Sequence, residues 1–206
     1  MGRENFFESA YSIQSAEETK AMYDRWAEVY DADLTAVEYQ QPVRCAEALF
    51  KQLPNGNSKI LDVGCGTGLS GLALKEAGFS NIDGCDLSEK MLEKAERLEI
   101  YNRLFACDLN IPPIDATDEE YDALTAVGVF SFGHVLAEAI DELLRVVKPG
   151  APLVIGLNDH YYEEGALVAK LQSLDEANLI ETISHEHGEH IPGNDLKGWV
   201  ITFLKI

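Results

Sequence analysis

Positive charge is scarce in this sequence. Sixteen Lys and Arg stand against thirty-six Asp and Glu in 206 residues, for a formal net charge of −20 and a pI near 4.4. Nucleic-acid binders gain much of their affinity by setting cations on phosphates, so a surface of this sign argues against a nucleic-acid partner. It argues against an anionic membrane leaflet for the same reason. Such a field confers solubility, and it favours cationic or neutral small ligands over anionic ones. Paired cysteines are also missing. Cys45, Cys65, Cys85 and Cys107 form no C-x-x-C pair. They read as small apolar residues in a reducing compartment, and neither a disulfide nor a metal site is expected. No apolar run approaches the ~18 residues of a membrane span. The first residues, Met-Gly-Arg-Glu-Asn-Phe, lack an apolar signal region, and Phe6 stands where myristoylation needs Ser or Thr. The expectation is a cytoplasmic protein without repeats or low-complexity tracts.

What is present is a change of pattern near residue 58. Residues 1–57 read as helical. Ser15 to Glu18 is a capping box, followed at helical spacing by Met22, Trp26, Val29 and Tyr30. A second helix starts near Pro42, with Val43, Ala46, Leu49, Phe50 and Leu53 on one face, and Pro54-Asn55-Gly56 stops it. From 58 to 206 short apolar strands alternate with helices. Strands are expected at Ile60 to Val63, Ile82 to Cys85, Arg103 to Cys107, Tyr121 to Val127 and Pro152 to Leu157. Helices are expected around Leu69 to Ala77, from a cap at Ser88 to Leu98, from Val135 to Val146, and around Leu167 to Leu174. Two final strands, Leu179 to Ser184 and Trp199 to Leu204, have no helix between them. The fold class is therefore α/β. It is a doubly wound, Rossmann-like sheet of seven strands, mostly parallel, with an antiparallel C-terminal hairpin and an N-terminal helical lid, all in one domain.

Chemistry gathers at the strand ends, where such sheets bind ligands. Gly64-Cys65-Gly66-Thr67-Gly68 ends the first strand and opens a helix. Glycine there permits a tight turn and lets a ligand approach the backbone. The spacing is G-x-G-x-G, and Leu69 occupies the third-glycine position of the dinucleotide fingerprint. Asp86 ends the second strand, about 20 residues past the glycines, where a carboxylate accepts from ribose hydroxyls. Asp108 follows the third strand, where a carboxylate can accept from an adenine amino group while Leu87, Met91 and Leu109 supply apolar contact to the ring faces.

These residues resemble those of the class I S-adenosylmethionine-dependent methyltransferases. Ile60 to Gly68 is similar to their first motif, Asp86-Leu87-Ser88 to the ribose-binding motif, Cys107-Asp108-Leu109 to the adenine contact, and Leu144 to Gly150 to the helix-to-strand turn. A finer resemblance, to the Williams–Beuren syndrome chromosome-region methyltransferase-like proteins, rests on Tyr23 to Asp31 and Gly128 to Val135. The resemblance implies S-adenosylmethionine as cofactor and methyl transfer as activity. It adds Asp62, Cys65, Gly68, Cys107 and Val127 to the cofactor contacts already read at Gly64, Gly66, Asp86, Leu87, Met91, Asp108 and Leu109. It also turns Tyr30 toward the methionine end of the cofactor.

The expected acceptor is an oxygen or nitrogen of a small molecule. The alternatives are a protein acceptor, which an acidic rim would attract, and a cofactor-binding module without catalysis. Ala126 to Phe130 lacks the Asn/Asp-Pro-Pro-aromatic pattern of amino-directed nucleobase enzymes. His134, after the fourth strand, is the candidate general base. His185, His187 and His190 read as a polar hairpin loop overhanging the site, with no Cys or paired carboxylate to complete a metal set.

Overall fold

The computed structural model describes residues 16–26, 28, 30, 33–34, 37–130 and 135–206. Of the residues named above, Phe6, Ser15, Val29, Asp31 and His134 lie outside the described residues. Two helices, α1 (Ala16–Trp26) and α2 (Gln41–Gln52), precede the sheet. Then follow β1 (Lys59–Val63), α3 (Leu69–Ala77), β2 (Asn81–Asp86), α4 (Glu89–Glu96), β3 (Arg103–Ala106) and β4 (Ala123–Val127). The chain continues through α5 (Ala139–Val146), β5 (Pro152–Asn158), α6 (Asp159–Glu164), α7 (Ala166–Glu176), β6 (Ile180–Ile191) and β7 (Leu196–Lys205).

The seven strands form one sheet in the order β3-β2-β1-β4-β5-β7-β6. The first five are parallel, β7 runs antiparallel to β5, and β6 antiparallel to β7. Helices cover both faces, which is why the central strands are apolar runs and not alternations. On one face Cys45, Leu49 and Leu74 pack on Ile60, Ile82, Val154 and Val200. On the other, Ile140, Leu143, Leu167 and Leu171 pack on Leu61, Leu124, Ile155 and Phe203. The strand order reverses between β1 and β4, so a crevice opens beyond their C-terminal ends.

Local chemistry sets the element boundaries. Pro42 starts α2, where its missing N–H costs nothing. Ser88 caps α4 by accepting from Met91 N at 3.2 Å. Gly78 ends α3 at φ +113°.

Three sequence expectations are corrected. The helix after β4 begins at Ala139, because Asn110 Oδ1 holds the Leu136 N–H at 2.9 Å and Leu136 is 64 % exposed. Tyr121 lies outside β4 and bridges singly to Val147. The C-terminal hairpin is far longer than expected. His185, His187 and His190 are all strand residues of β6, and no loop there overhangs the site. The polar residues that suggested a loop belong to an edge strand whose only strand neighbour is β7. Arg44 braces it from α2, donating to the carbonyls of Glu186, Glu189 and Gly198 at 2.8, 2.9 and 3.1 Å.

Candidate cofactor site

The glycine turn is built for close approach. Gly64 and Gly66 sit at φ +62° and +54°, which side-chain-bearing residues rarely adopt. A Cβ on Gly66 would meet nothing within 4 Å, because the residue faces an open cavity. Gly68 has another task. At φ +101° its Cβ would strike Leu98, so it packs the turn against the end of α4 and not against a ligand. Cys65 is buried, with its N–H on the Cys85 carbonyl at 3.0 Å.

Asp62 lies behind the turn, fully buried in β1. Its carboxylate accepts from the Ser70, Tyr101 and Thr125 hydroxyls at 2.7, 2.7 and 3.2 Å. Burial pushes its pKa up to about 6, against the three hydroxyl donors that hold it down. It ties β1 to α3, β4 and the segment before β3, and so fixes the turn from below.

Asp86 emerges at the end of β2. Its Oδ2 accepts from Gly66 N at 2.9 Å and its Oδ1 from Ser88 N at 2.8 Å. Burial raises its pKa, partly offset by these backbone donors. Each carboxylate oxygen has a second acceptor site, so Asp86 can take two further donors such as vicinal hydroxyls. Asp108 spends Oδ1 on Asn110 N at 2.9 Å, which aims the carboxylate.

These groups line a cavity of about 700 Å³ including its mouth. Around it stand Gly64, Gly66, Asp86, Leu87, Met91, Cys107, Asp108, Leu109, Val127 and Tyr30, ten of the residues expected from the sequence. Asp62, Cys65 and Gly68 are not on its wall; they support it from behind. Tyr23, Gly128, Val129 and Val135 line it as well and were not singled out. The signal for them was available, since all four fall inside the two stretches that carry the finer family resemblance.

The lid is aromatic. Tyr23, Trp26 and Tyr30 form a cluster with centroid separations of 5.9, 4.7 and 6.3 Å, and Trp26 Nε1 donates to Asp33 at 3.0 Å. Trp26 is core, while Tyr23 and Tyr30 are half-buried on the cavity wall.

Residues 61–153 match the family model described as a methyltransferase domain. The human methyltransferase-like protein 27 is 36% identical over 179 residues, covering 84% of this chain and 72% of that protein. The chain belongs to the class I S-adenosylmethionine-dependent methyltransferases, among the Williams–Beuren region methyltransferase-like proteins. A demethylmenaquinone methyltransferase of Clavibacter sepedonicus is 32% identical over 144 residues, 67% of this chain and 57% of that protein. The chain thus spans less than two thirds of that protein. The [4+2]-cyclase SpnF shares the fold, with a TM-score of 0.70 at 17% identity over 94% of this chain and 97% of that one.

S-adenosylmethionine, the cofactor of these methyltransferases, fits the cavity by its chemistry. Asp86 has acceptor capacity left that would take vicinal ribose hydroxyls. Asp108, flanked by apolar side chains on the cavity wall, would accept from an adenine amino group, and the glycine backbone leaves room that a Cβ at Gly66 would invade. Among the described residues no group of His, Cys, Asp and Glu could hold a metal ion, and no helix is long and apolar enough to cross a membrane.

Proposed function

We propose that the chain transfers a methyl group to an oxygen or nitrogen of a small molecule. The observation that carries this reading is the enclosure of the site. Tyr23 and Tyr30 of the lid stand on the cavity wall with Val129 and Val135, so side chains of this chain wall the space beside the strand ends. A peptide or nucleic-acid strand needs an open trough. The relative from Clavibacter, named for a quinone-type acceptor, supports a small molecule as well.

The bound cofactor supplies an activated methyl on a sulfonium, already a good leaving group. The residues present then have four tasks. Asp86 takes the ribose hydroxyls and fixes the reactive end along the β1–β4 crevice. Asp108 and the apolar wall of Leu87, Met91 and Leu109 hold the adenine. Tyr30 and Tyr23 close the methionine side and exclude water. His134 receives the proton that the acceptor oxygen or nitrogen loses as it takes the methyl. Orientation of this kind can supply up to roughly 7–11 kcal/mol of the barrier, and a positioned base contributes less.

The test is an acceptor screen that reads S-adenosylhomocysteine release, run beside His134→Ala. Turnover of a small alcohol, phenol or amine that drops ~100-fold in the variant, with cofactor affinity unchanged, is expected. Turnover confined to protein acceptors would replace the small-molecule reading. Silence across the panel despite tight cofactor binding would favour a non-catalytic binding module.

A further inference from the structure

Three of the hydrogen bonds of Ser88 point in three functional directions. Its N–H donates to Asp86 Oδ1 at 2.8 Å. Its Oγ accepts from Met91 N at 3.2 Å, which caps α4. Capping uses a lone pair and leaves the hydroxyl hydrogen free. That hydrogen goes to Asp24 Oδ1 of the lid helix at 2.5 Å. Ser88 is 1 % exposed, so the bond to Asp24 is shielded from competing water.

Asp24 is held for this contact. Its Oδ2 pairs with Lys20 one turn earlier at 3.1 Å, and the side chain is 19 % exposed. The neighbouring turn of the lid, at Glu28, reaches Lys94 of α4 at 3.7 Å. The same helix puts Tyr23 on the cavity wall, and Tyr30 follows it there. One side of the lid therefore closes the cavity while another grips the residue that feeds the ribose carboxylate.

We propose that Asp24 and Ser88 form a latch that couples docking of α1 to occupancy at Asp86, making Asp24 a positioning residue for the cofactor. The proposal rests on the reading of the cavity as an S-adenosylmethionine site. Its physical basis is that Asp24 and Asp86 are like charges sharing one donor residue. In the empty site they repel, and each weakens the other's hold on Ser88. Ribose hydroxyls donating to Asp86 offset its charge and relieve that repulsion, so ligand binding tightens the latch. By linkage a docked lid must strengthen ligand binding by the same factor.

The experiment uses the full chain with S-adenosylhomocysteine as probe. Dissociation is followed by stopped flow, and amide exchange of residues 16–26 is followed with and without probe. Wild type is expected to protect these amides when the probe binds. In Asp24→Ala the dissociation rate should rise roughly tenfold and the added protection should fall, a coupling in the usual range for linked sites. Asp24→Asn keeps an acceptor for the Ser88 hydroxyl but removes the charge, so its lid amides should be better protected without probe than those of wild type and should gain less protection on binding. Ser88→Ala also loses the cap, so the double variant Asp24→Ala/Ser88→Ala decides the pair: it should release the probe no faster than Ser88→Ala alone. Wild-type dissociation and protection in Asp24→Ala would overturn the latch and leave the cofactor reading standing. Failure of the wild-type chain to bind the probe would overturn that reading, and the latch with it.

Discussion

The two halves of the sheet meet at the β1–β4 pair and are built on different plans. On one side β1, β2 and β3 end in Val63, Asp86 and Ala106, each followed within a few residues by a group on the cavity wall. The chemistry there is local: a strand ends and a ligand-facing residue follows. On the other side β5, β7 and β6 are joined to the N-terminal segment by bonds between residues far apart in the chain. Gln41 Nε2 donates to the Trp199 carbonyl at 2.6 Å, and Arg44 spans to Glu186, Glu189 and Gly198. Tyr39 packs edge-on against His190 at 5.2 Å, and its hydroxyl would lie 3.0 Å from a Cβ on Gly128 of the cavity wall. One half lines the cavity with strand-end residues; the other shapes the far wall through tertiary contacts.

This difference can be broken at chosen points. Asp86→Ala should have the largest effect on binding. It removes two hydrogen bonds to a charged acceptor, each worth about 1.5–3 kcal/mol, so affinity for S-adenosylhomocysteine should fall by ~100-fold or more in calorimetry. The melting temperature should fall by a few degrees, because the Gly66 and Ser88 N–H groups lose their acceptor. Gly68→Ala should act oppositely. The left-handed backbone and the collision with Leu98 together cost about 2 kcal/mol, read as a lower midpoint in denaturant. Arg44→Met tests the other half. Loss of its carbonyl contacts should cost about 1–2 kcal/mol of stability, with cofactor affinity held within about twofold. A large affinity loss in that variant would mean the halves are not separable.

The smallest expected effect is on pH dependence. Burial, with Arg44 nearby, pushes the His190 pKa down to about 4 from the ordinary 6.5. Its Nδ1 is buried with no hydrogen-bond partner, so the neutral ring is the one the fold accommodates. The stability contributed by this group is fully present above pH 6.5 and is lost as pH falls through about 4. Denaturation midpoints of His190→Gln should therefore decline less than those of wild type between pH 6.5 and 4. Parallel curves would show that His190 is not the group being titrated.

The same division governs what could be read from the sequence. Asp86 and Asp108 were legible because each follows a short apolar run, and a carboxylate at a strand end is placed by the strand itself. The glycine turn was legible for the same reason, although Gly68 proved to pack the turn and not to face the ligand. The long β6–β7 hairpin was not legible. An edge strand rich in His and Glu reads as a loop until its partner is known, since its pairing with β7 supplies the ordering. The roles of Asp24, Tyr39 and Arg44 depend on residues 64 to 154 positions away, and no local pattern encodes such contacts. Tyr23 is an intermediate case. It lies one side of a helix from Asp24, and only the docked position of α1 decides which of the two meets the cavity.

The most direct test of the account is calorimetric titration of the intact chain with S-adenosylmethionine and S-adenosylhomocysteine, beside Asp86→Ala. The account predicts one site per chain with micromolar affinity for both ligands, lost in a variant that remains folded. Absence of binding by the wild-type chain, or equal affinity in Asp86→Ala, would contradict it.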